Sequence, residues 1–469
     1  MIPVRVFENR RVGVLGLGRS GMPTMRALAA GGAVPVGWDD SEAARTAAEA
    51  EGFAVADLTR PREAAELAAL IVSPGIPHLH PAPHPAVTAA WIAGVPVDND
   101  VGLFFQALAV VGADAKVVAV TGSNGKSTTT ALIHHILRAA GRPVQMGGNI
   151  GRGVLDLDPP ADGEAVVLEL SSYQIELARV LAPEVAVFLN LSPDHLDRHG
   201  GMGGYFAAKR RLFEMGAPRR MVIGVDDDYG RFLANSEAGE DEDEGARVIE
   251  ISAARKLRAE GWSVFMNRRF LSEWRNGRQV AAFDMGGAPA LMGAHNHQNA
   301  CAAWAACRAL GLGPRQIEAG IASFPGLAHR MERLGTVRGI PVINDSKATN
   351  ADATEKALMA FERVRLIAGG QPKAGGIEPL RPLFDRIAKC YLIGEAADAF
   401  AVTLGDAVPH EACRTLERAT KAALAEAQPG EAVLLSPACA SWDQFTSFEH
   451  RGDAFRALVA HHLDREGGP

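Results

Sequence analysis

Short apolar runs alternate with helix-compatible stretches from the first residues of this chain. Residues 12–15 read as a buried strand that enters a glycine-rich turn, and residues 22–30 as the helix that follows. A second strand at 34–38 ends at Asp39 and Asp40, and a third at 69–72 is closed by Ser73-Pro74-Gly75. Strands separated by helical segments predict a small parallel α/β domain ending near residue 105.

The same rhythm then restarts. Strands are predicted at 116–120, 165–168, 185–189 and 221–225, and a helix rich in small residues follows His297. The acidic run EAGEDEDEG at 237–245 lacks the carboxylate spacing of an EF-hand loop and reads as a solvated insertion. Phe324-Pro325-Gly326 closes this second segment. A third α/β unit carries predicted strands at 366–368, 390–393 and 432–435. A chain of 469 residues exceeds one ordinary core, so the expected division is 1–105, 106–326 and 327–469.

Composition narrows the class. The net charge of −7 comes without a clustered block of Lys and Arg, which argues against a nucleic-acid footprint. No stretch reaches the roughly 18 uninterrupted apolar residues of a membrane span. The N-terminal apolar run continues directly into the strand–turn pattern and does not resemble a signal peptide. The five cysteines form no CxxC pair, so neither a zinc site nor a disulfide framework is expected. A cytoplasmic protein follows as the expectation.

The most specific chemical signal is VVAVTGSNGKSTTT at 117–130, a strand, a turn and a helix-compatible continuation. Thr121 stands where a phosphate-binding loop usually has its first glycine. Gly122 and Gly125 allow a tight turn whose N–H groups face phosphate oxygens, with Asn124 between them. Lys126 can reach the outer phosphates, Ser127 can ligate Mg²⁺, and the helix N-terminus running through Thr128 adds a positive field. The earlier turn, Gly16-Leu17-Gly18-Arg19-Ser20-Gly21, is a weaker signal. Its GxGxxG pattern, with Asp39 about twenty residues on, suits a dinucleotide, yet it fits a uridine diphosphate equally because it recognises pyrophosphate. The second, ATP-type loop favours a nucleotide-linked substrate.

Two acids or amides fall at predicted strand ends beside that loop. Glu169 ends the strand in VVLELSSYQIE, well placed to face nucleotide-bound Mg²⁺, and Asn190 is expected to end the strand in VFLNLSPDHLDRH. The latter loop carries Asp194, His195, Asp197, Arg198 and His199. Lys209, in YFAAKRRLF, falls on a predicted helix and by composition alone is an ordinary surface lysine.

These motifs, with GGNIG at 147–151, GAHNHQNA at 293–300, GLAHR at 326–330, NDSKATN at 344–350 and LLSPACASWDQFTSFEHRG at 434–452, resemble the Mur ligases along essentially the whole chain. The last block resembles the branch that adds D-glutamate to UDP-N-acetylmuramoyl-L-alanine. The resemblance implies an α/β fold of three domains: a Rossmann-like N-terminal domain for the UDP-sugar, a central P-loop ATPase-like domain, and a C-terminal Rossmann-like α/β domain for the amino acid. It implies ATP and two Mg²⁺ ions, with Lys126 and Ser127 in the ATP loop. Glu169 and Ser127 would hold the first Mg²⁺, and His195 and a carbamylated Lys209 the second. Asn296 and Asn299 would lie near adenine, and Arg330 and Asp345 near the nucleotide's phosphate and ribose. Gly18, Arg19, Ser20, Asp39, Ser73 and Asn149 would serve the muramoyl substrate. Lys347 and Thr349 would face the reaction centre, and Lys373, Ser441 and Phe448 the D-glutamate. The chain departs from the family pattern at Gly102, where an acidic residue is usual, at Trp442, where leucine is usual, and at WDDS around Asp39.

The implied chemistry has two steps. A carboxylate attacks the γ-phosphate of ATP to give an acyl phosphate, and an amine then displaces phosphate. Other readings make distinct forecasts. A related ligase would accept a different amino acid. A binding module that has lost catalysis would hold ATP without turnover, and an oxidoreductase would leave the phosphate loop unexplained. The enzyme is expected to act as a monomer, without nucleic-acid or membrane partners.

Overall fold

The computed structural model describes residues 1–112, 114–194, 196–238, 247–257, 261–291, 293–372 and 375–463. His195, Lys373 and most of the acidic run lie outside the described residues. The chain forms two compact units, Met1–Phe324 and Pro325–Pro469.

The first unit holds two sheets. Strands β1 (Arg11–Leu15), β2 (Val34–Trp38), β3 (Ala54–Val55), β4 (Ala69–Val72) and β5 (Val97–Asp98) form an all-parallel sheet ordered β3-β2-β1-β4-β5. The two central strands, β1 and β4, are almost wholly buried, as expected when helices cover both faces of a parallel sheet. The order reverses beside β1, so the turn after β1 opens at a topological switch point, where α/β sheets bind ligands.

The second sheet contains β6 (Lys116–Thr121), β7 (Val144–Gly148), β8 (Ala165–Glu169), β9 (Val185–Phe188), β10 (Arg220–Gly224), β11 (Val248–Ser252), β12 (Trp262–Asn267), β13 (Phe270–Arg275) and β14 (Arg278–Asp284). Its order is β14-β13-β12-β11-β10-β9-β6-β8-β7. Pairing is parallel from β7 to β12 and antiparallel through β12, β13 and β14. β6 lies between β8 and β9, which brings the segments after all three strands to one edge. The helix Ala294–Ala309 buries Cys301, Trp304 and Cys307, and its small residues let it approach the sheet closely. The helix Asp100–Val111 runs through the expected boundary at residue 105. It buries Val101, Leu103, Phe104 and Phe105 in a core that also contains Val12, Val14, Val117 and Leu168. Removing those side chains from water stabilises the unit by about 1.5–3 kcal/mol each.

The second unit is one sheet of β15 (Glu332–Val337), β16 (Ile340–Asn344), β17 (Val364–Gly369), β18 (Ile387–Ile393), β19 (His410–Arg414) and β20 (Ala432–Leu435). Its order is β15-β16-β20-β17-β18-β19, parallel except for the β15–β16 hairpin. No helix among the described residues is long and apolar enough to cross a membrane. All five cysteines are buried and unpaired with one another.

Candidate active site

The phosphate loop follows from the end of β6. Gly122 has φ +150°, and a Cβ there would lie 3.0 Å from Leu189 Cβ. Gly125 has φ +85° and caps the helix Lys126–Ala139; its Cβ would come within 2.2 Å of Asn299 Oδ1. Glycine is therefore required at both positions, by conformation and by space. The loop's shape is held from the neighbouring segment. Ser123 N donates to Asn190 O (2.9 Å), Asn124 N to Asn190 Oδ1 (2.9 Å), and Ser192 N to Ser123 Oγ (2.9 Å). Lys126 Nζ donates to the carbonyls of Gly122 and Ser123, each at 2.9 Å, so its ammonium is folded over the loop it serves. Ser127 is buried at the first turn, and Thr128 follows it in the helix. Asn190 falls two residues beyond β9, not at the strand end expected from the apolar run. The strand stops at Phe188, and the freed Asn190 amide donates to Gln298 Oε1 (2.8 Å) while its side-chain oxygen caps the phosphate loop.

Glu169 ends β8, adjacent to β6, and is only 3% exposed. Its Oε1 accepts from Asn149 Nδ2 at 2.9 Å, and Asn149 N donates to its carbonyl at 2.8 Å. Its Oε2 is buried without a hydrogen bond. A carboxylate oxygen in that position costs free energy unless a cation or donor joins it. The donor set suits Mg²⁺, which favours carboxylate, hydroxyl and phosphate oxygens. Glu169 and Ser127 are the residues that would hold it.

Lys209, on the helix Met202–Glu214, is 1% exposed, which removes the surface reading that composition allowed. Its Nζ donates to Gly122 O (2.9 Å) and Thr121 Oγ1 (3.3 Å), and lies 4.7 Å from the centre of the Tyr205 ring. Burial pushes its pKa well below the ordinary lysine value, and the charge of Lys126 pushes it the same way, against Asp194 and Glu169. Both effects favour the neutral amine over the ammonium.

The short helix Leu196–His199 is braced by partners from other segments. His199 Nε2 shares a hydrogen bond with Ser172 Oγ (2.9 Å), its Nδ1 reaches Glu176 Oε1 (3.4 Å), and its ring stacks on Tyr173. His78 pairs with Glu176 from the other side at 3.2 Å. Burial alone would raise the Glu176 carboxyl, but the two imidazoles outweigh it and bring its pKa down to about 2. Arg198 donates to Gly75 O at 3.1 Å. The sequence displayed His199 but gave no signal for its partners Ser172 and Glu176, or for His78, which pairs with Glu176.

The glycine turn after β1 is built differently. Ser73 Oγ donates to Gly16 O (2.7 Å), and Arg19 donates to Gly151 O (2.9 Å). Asp39 accepts from Leu17 N (2.7 Å) and Ser41 N (2.8 Å), so its carboxylate shapes the turn. Ser20 precedes the helix Gly21–Ala30, and its carbonyl receives Thr24 Oγ1. Nothing lies within 4 Å of a Cβ placed on Gly18. Asn299 accepts from Thr129 Oγ1 (3.2 Å) and donates to Asn296 Oδ1 (3.2 Å), close behind the phosphate loop.

In the second unit Asp345 is buried, accepting from Ser436 Oγ (2.9 Å) and Met331 N (3.1 Å), and burial raises its pKa to about 6. Arg330, two residues after Ala328, and Lys347 and Thr349 lie in the segments that flank it. The Lys347 ammonium is 5.5 Å from the Phe448 ring centre. Ser441 is buried, while Trp442 beside it is 65% exposed.

The sequence pattern of the Mur ligase middle domain matches residues 120–307, and that of the Mur ligase glutamate ligase domain matches residues 329–439. The UDP-N-acetylmuramoylalanine–D-glutamate ligase of Cereibacter sphaeroides is 62% identical over 98% of this chain and 99% of its own. The chain belongs to the Mur ligase family. The ligase of the same name from Dinoroseobacter shibae is 58% identical over 99% of this chain and its full length. Among solved structures, the UDP-N-acetylmuramate–alanine ligase of Thermotoga maritima has a TM-score of 0.56 at 16% identity, covering 96% of this chain and 99% of that one, which shows the common fold. The matched middle domain of this Mur ligase opens at the residue before Thr121, so the phosphate loop is its first feature.

Proposed function

We propose that the chain joins D-glutamate to UDP-N-acetylmuramoyl-L-alanine at the expense of ATP, in the synthesis of peptidoglycan precursors in the cytoplasm. The observation that carries the chemistry is a lysine-bearing phosphate turn and a buried carboxylate with an unused oxygen, on the adjacent strands β6 and β8. The identity of the substrates rests on the relatives sharing about three-fifths of their residues with this chain over its whole length. Residues 1–105 serve the UDP-sugar, 106–326 ATP and 327–469 the amino acid, in a monomer.

The substrate's terminal carboxylate attacks the γ-phosphate, and the D-glutamate amine then displaces phosphate from the acyl phosphate. A carboxylate is a poor acylating group, and phosphorylation gives it a leaving group. Gly122, Asn124 and Gly125 direct backbone N–H groups at the phosphates. Lys126 moves its ammonium from the loop carbonyls to the transferring oxygens. Mg²⁺ ions held by Ser127 and Glu169, and by His195 and carbamylated Lys209, would offset the charge that develops there. Lys209 would become a metal ligand only after its neutral amine adds CO₂ through a new N–C bond and releases a proton, which leaves an anionic carbamate. Asn149 fixes Glu169 and contacts the muramoyl group. Lys347, Thr349, Lys373, Ser441 and Phe448 receive D-glutamate, whose two carboxylates suit ammonium and hydroxyl donors.

The test is incubation with UDP-N-acetylmuramoyl-L-alanine, ATP and a panel of D- and L-amino acids, with phosphate release and product mass measured together. D-Glutamate-dependent phosphate release and a product heavier by one glutamyl residue are expected. Release with L-glutamate at equal or better efficiency contradicts the assignment of substrate, and ATP binding without turnover contradicts the assignment of activity.

A further inference from the structure

Arg451 is the second-largest side chain fully buried in the molecule, at 1% exposure, and it is charged. It lies on the helix Phe448–Ala460. Its donors go to neutral acceptors. Nε donates to Ser346 Oγ (3.0 Å), Nη1 to Ala440 O (3.2 Å), and Nη2 to Ser346 O (2.9 Å) and Cys439 O (3.1 Å). Among the described residues no carboxylate forms an ion pair or hydrogen bond with it. A buried guanidinium normally recovers its desolvation cost from an acid. Here four hydroxyl and carbonyl dipoles take that place, and no carboxylate among the described residues touches the charge. One acid, Asp443, acts on it through space without touching it, and accepts the Glu395 N–H at 3.1 Å.

The acceptors are the immediate neighbours of the amino-acid residues. Ser346 precedes Lys347, and Ala440 precedes Ser441. Ser346 Oγ donates in turn to Phe448 O at 2.8 Å. Gln371 N shares Ala440 O at 3.0 Å, joining the segment that leads toward Lys373. Gly370, with φ +133°, permits this convergence, because a Cβ there would lie 2.3 Å from Ala440 O and 3.1 Å from Arg451 Nη1.

We propose that Arg451 is a positioning residue that determines specificity. It ties together the loops carrying Lys347, Ser441 and Phe448, and its buried charge, touched by no carboxylate among the described residues, selects an amino acid with a second carboxylate. This rests on the D-glutamate reading above. The guanidinium need not touch the ligand: its field acts through the buried Ser346 and Ser441 segments, where a charge counts for more than in water.

The experiment measures KM for D-glutamate, ATP and the UDP-sugar, with kcat, in wild type, Arg451→Lys, Arg451→Gln and Arg451→Met, after circular dichroism and thermal melting of each. Arg451→Lys keeps the charge and loses the fork, whereas Arg451→Gln keeps a neutral donor. The expected result is a rise of about tenfold or more in KM for D-glutamate in the Gln and Met variants, with KM for ATP within about twofold, and recovery to within about threefold in the Lys variant. Equal KM for D-glutamate in the Lys and Gln variants overturns the role of charge, as does an unchanged KM in all three. If Gln and Met fail to fold, a Lys variant that folds but has lost D-glutamate affinity as far as kcat also overturns it, and retained affinity supports it. A wild-type enzyme that does not use D-glutamate overturns both this proposal and the substrate assignment. Failure of the variant series alone overturns only the arginine.

Discussion

The first unit contains two glycine turns of the same plan, each at the end of a central parallel strand and each opening a helix. After β1, the side chains at the turn serve the turn itself: Asp39 receives Leu17 N, and Ser73 donates to Gly16 O. After β6, the turn is shaped by the neighbouring loop, while Lys126 folds its ammonium onto the carbonyls of Gly122 and Ser123 and Ser127 is buried at the first helical turn. Glycines alone thus specify a backbone able to approach a phosphate. In the proposed reading, what separates holding a phosphate from transferring one is a lysine, a hydroxyl and a buried carboxylate alongside.

Breaking this contrast should cost most at the second turn. Lys126→Ala should lose on the order of 10³-fold or more in turnover, with folding intact, because a positioned cation is lost where charge develops. Steady-state assay and circular dichroism check it, and near-normal turnover would equate the two turns. Lys209→Ala should lose on the order of 10²-fold or more, and Lys209→Glu should retain slight activity by restoring an anion at shorter reach. Intact-mass measurement with bicarbonate should show wild type, but not the variants, gaining one CO₂.

The glycines themselves sharpen the contrast. Gly125→Ala meets Asn299 Oδ1 at a positive φ and should cost about 1–3 kcal/mol in stability. Gly18→Ala meets nothing within 4 Å and should stay within about 0.5 kcal/mol. Its effect should appear instead as weaker binding of the UDP-sugar. Denaturant melts and substrate titration of the two variants separate these outcomes. Near the first turn, burial raises the Asp100 carboxyl to about 6, assisted by Asp98. The folded state holds that proton more tightly than the unfolded chain. The stability this contributes is present at low pH and is lost as pH rises to about 6. Asp100→Asn avoids the loss, so its stability relative to wild type should improve by about 1 kcal/mol between pH 5 and pH 7.5.

Much of this plan was legible in the sequence because parallel strands buried on both faces are continuous apolar runs. β2, β4 and β20 fall where those runs do, and Glu169 and the phosphate loop follow from the strand ends. The β12–β14 extension and the β15–β16 hairpin were missed, since they are antiparallel and partly exposed and lack such runs. Lys209 shows why site residues are harder. Its helix has an ordinary amphipathic composition, and only tertiary packing against Thr121, Gly122 and Tyr205 makes its ammonium a buried group. Arg451 and the His78–Glu176–His199 cluster escaped for the same reason, because their partners lie up to 105 residues away in sequence.

The central claim, that the second turn transfers phosphate to the substrate's own carboxylate, is tested most directly by labelling that carboxylate with heavy oxygen and analysing the released phosphate by mass. The account predicts that each phosphate carries one labelled oxygen, left behind when the amine displaces it. Phosphate without label, or label found in the nucleotide, would contradict it.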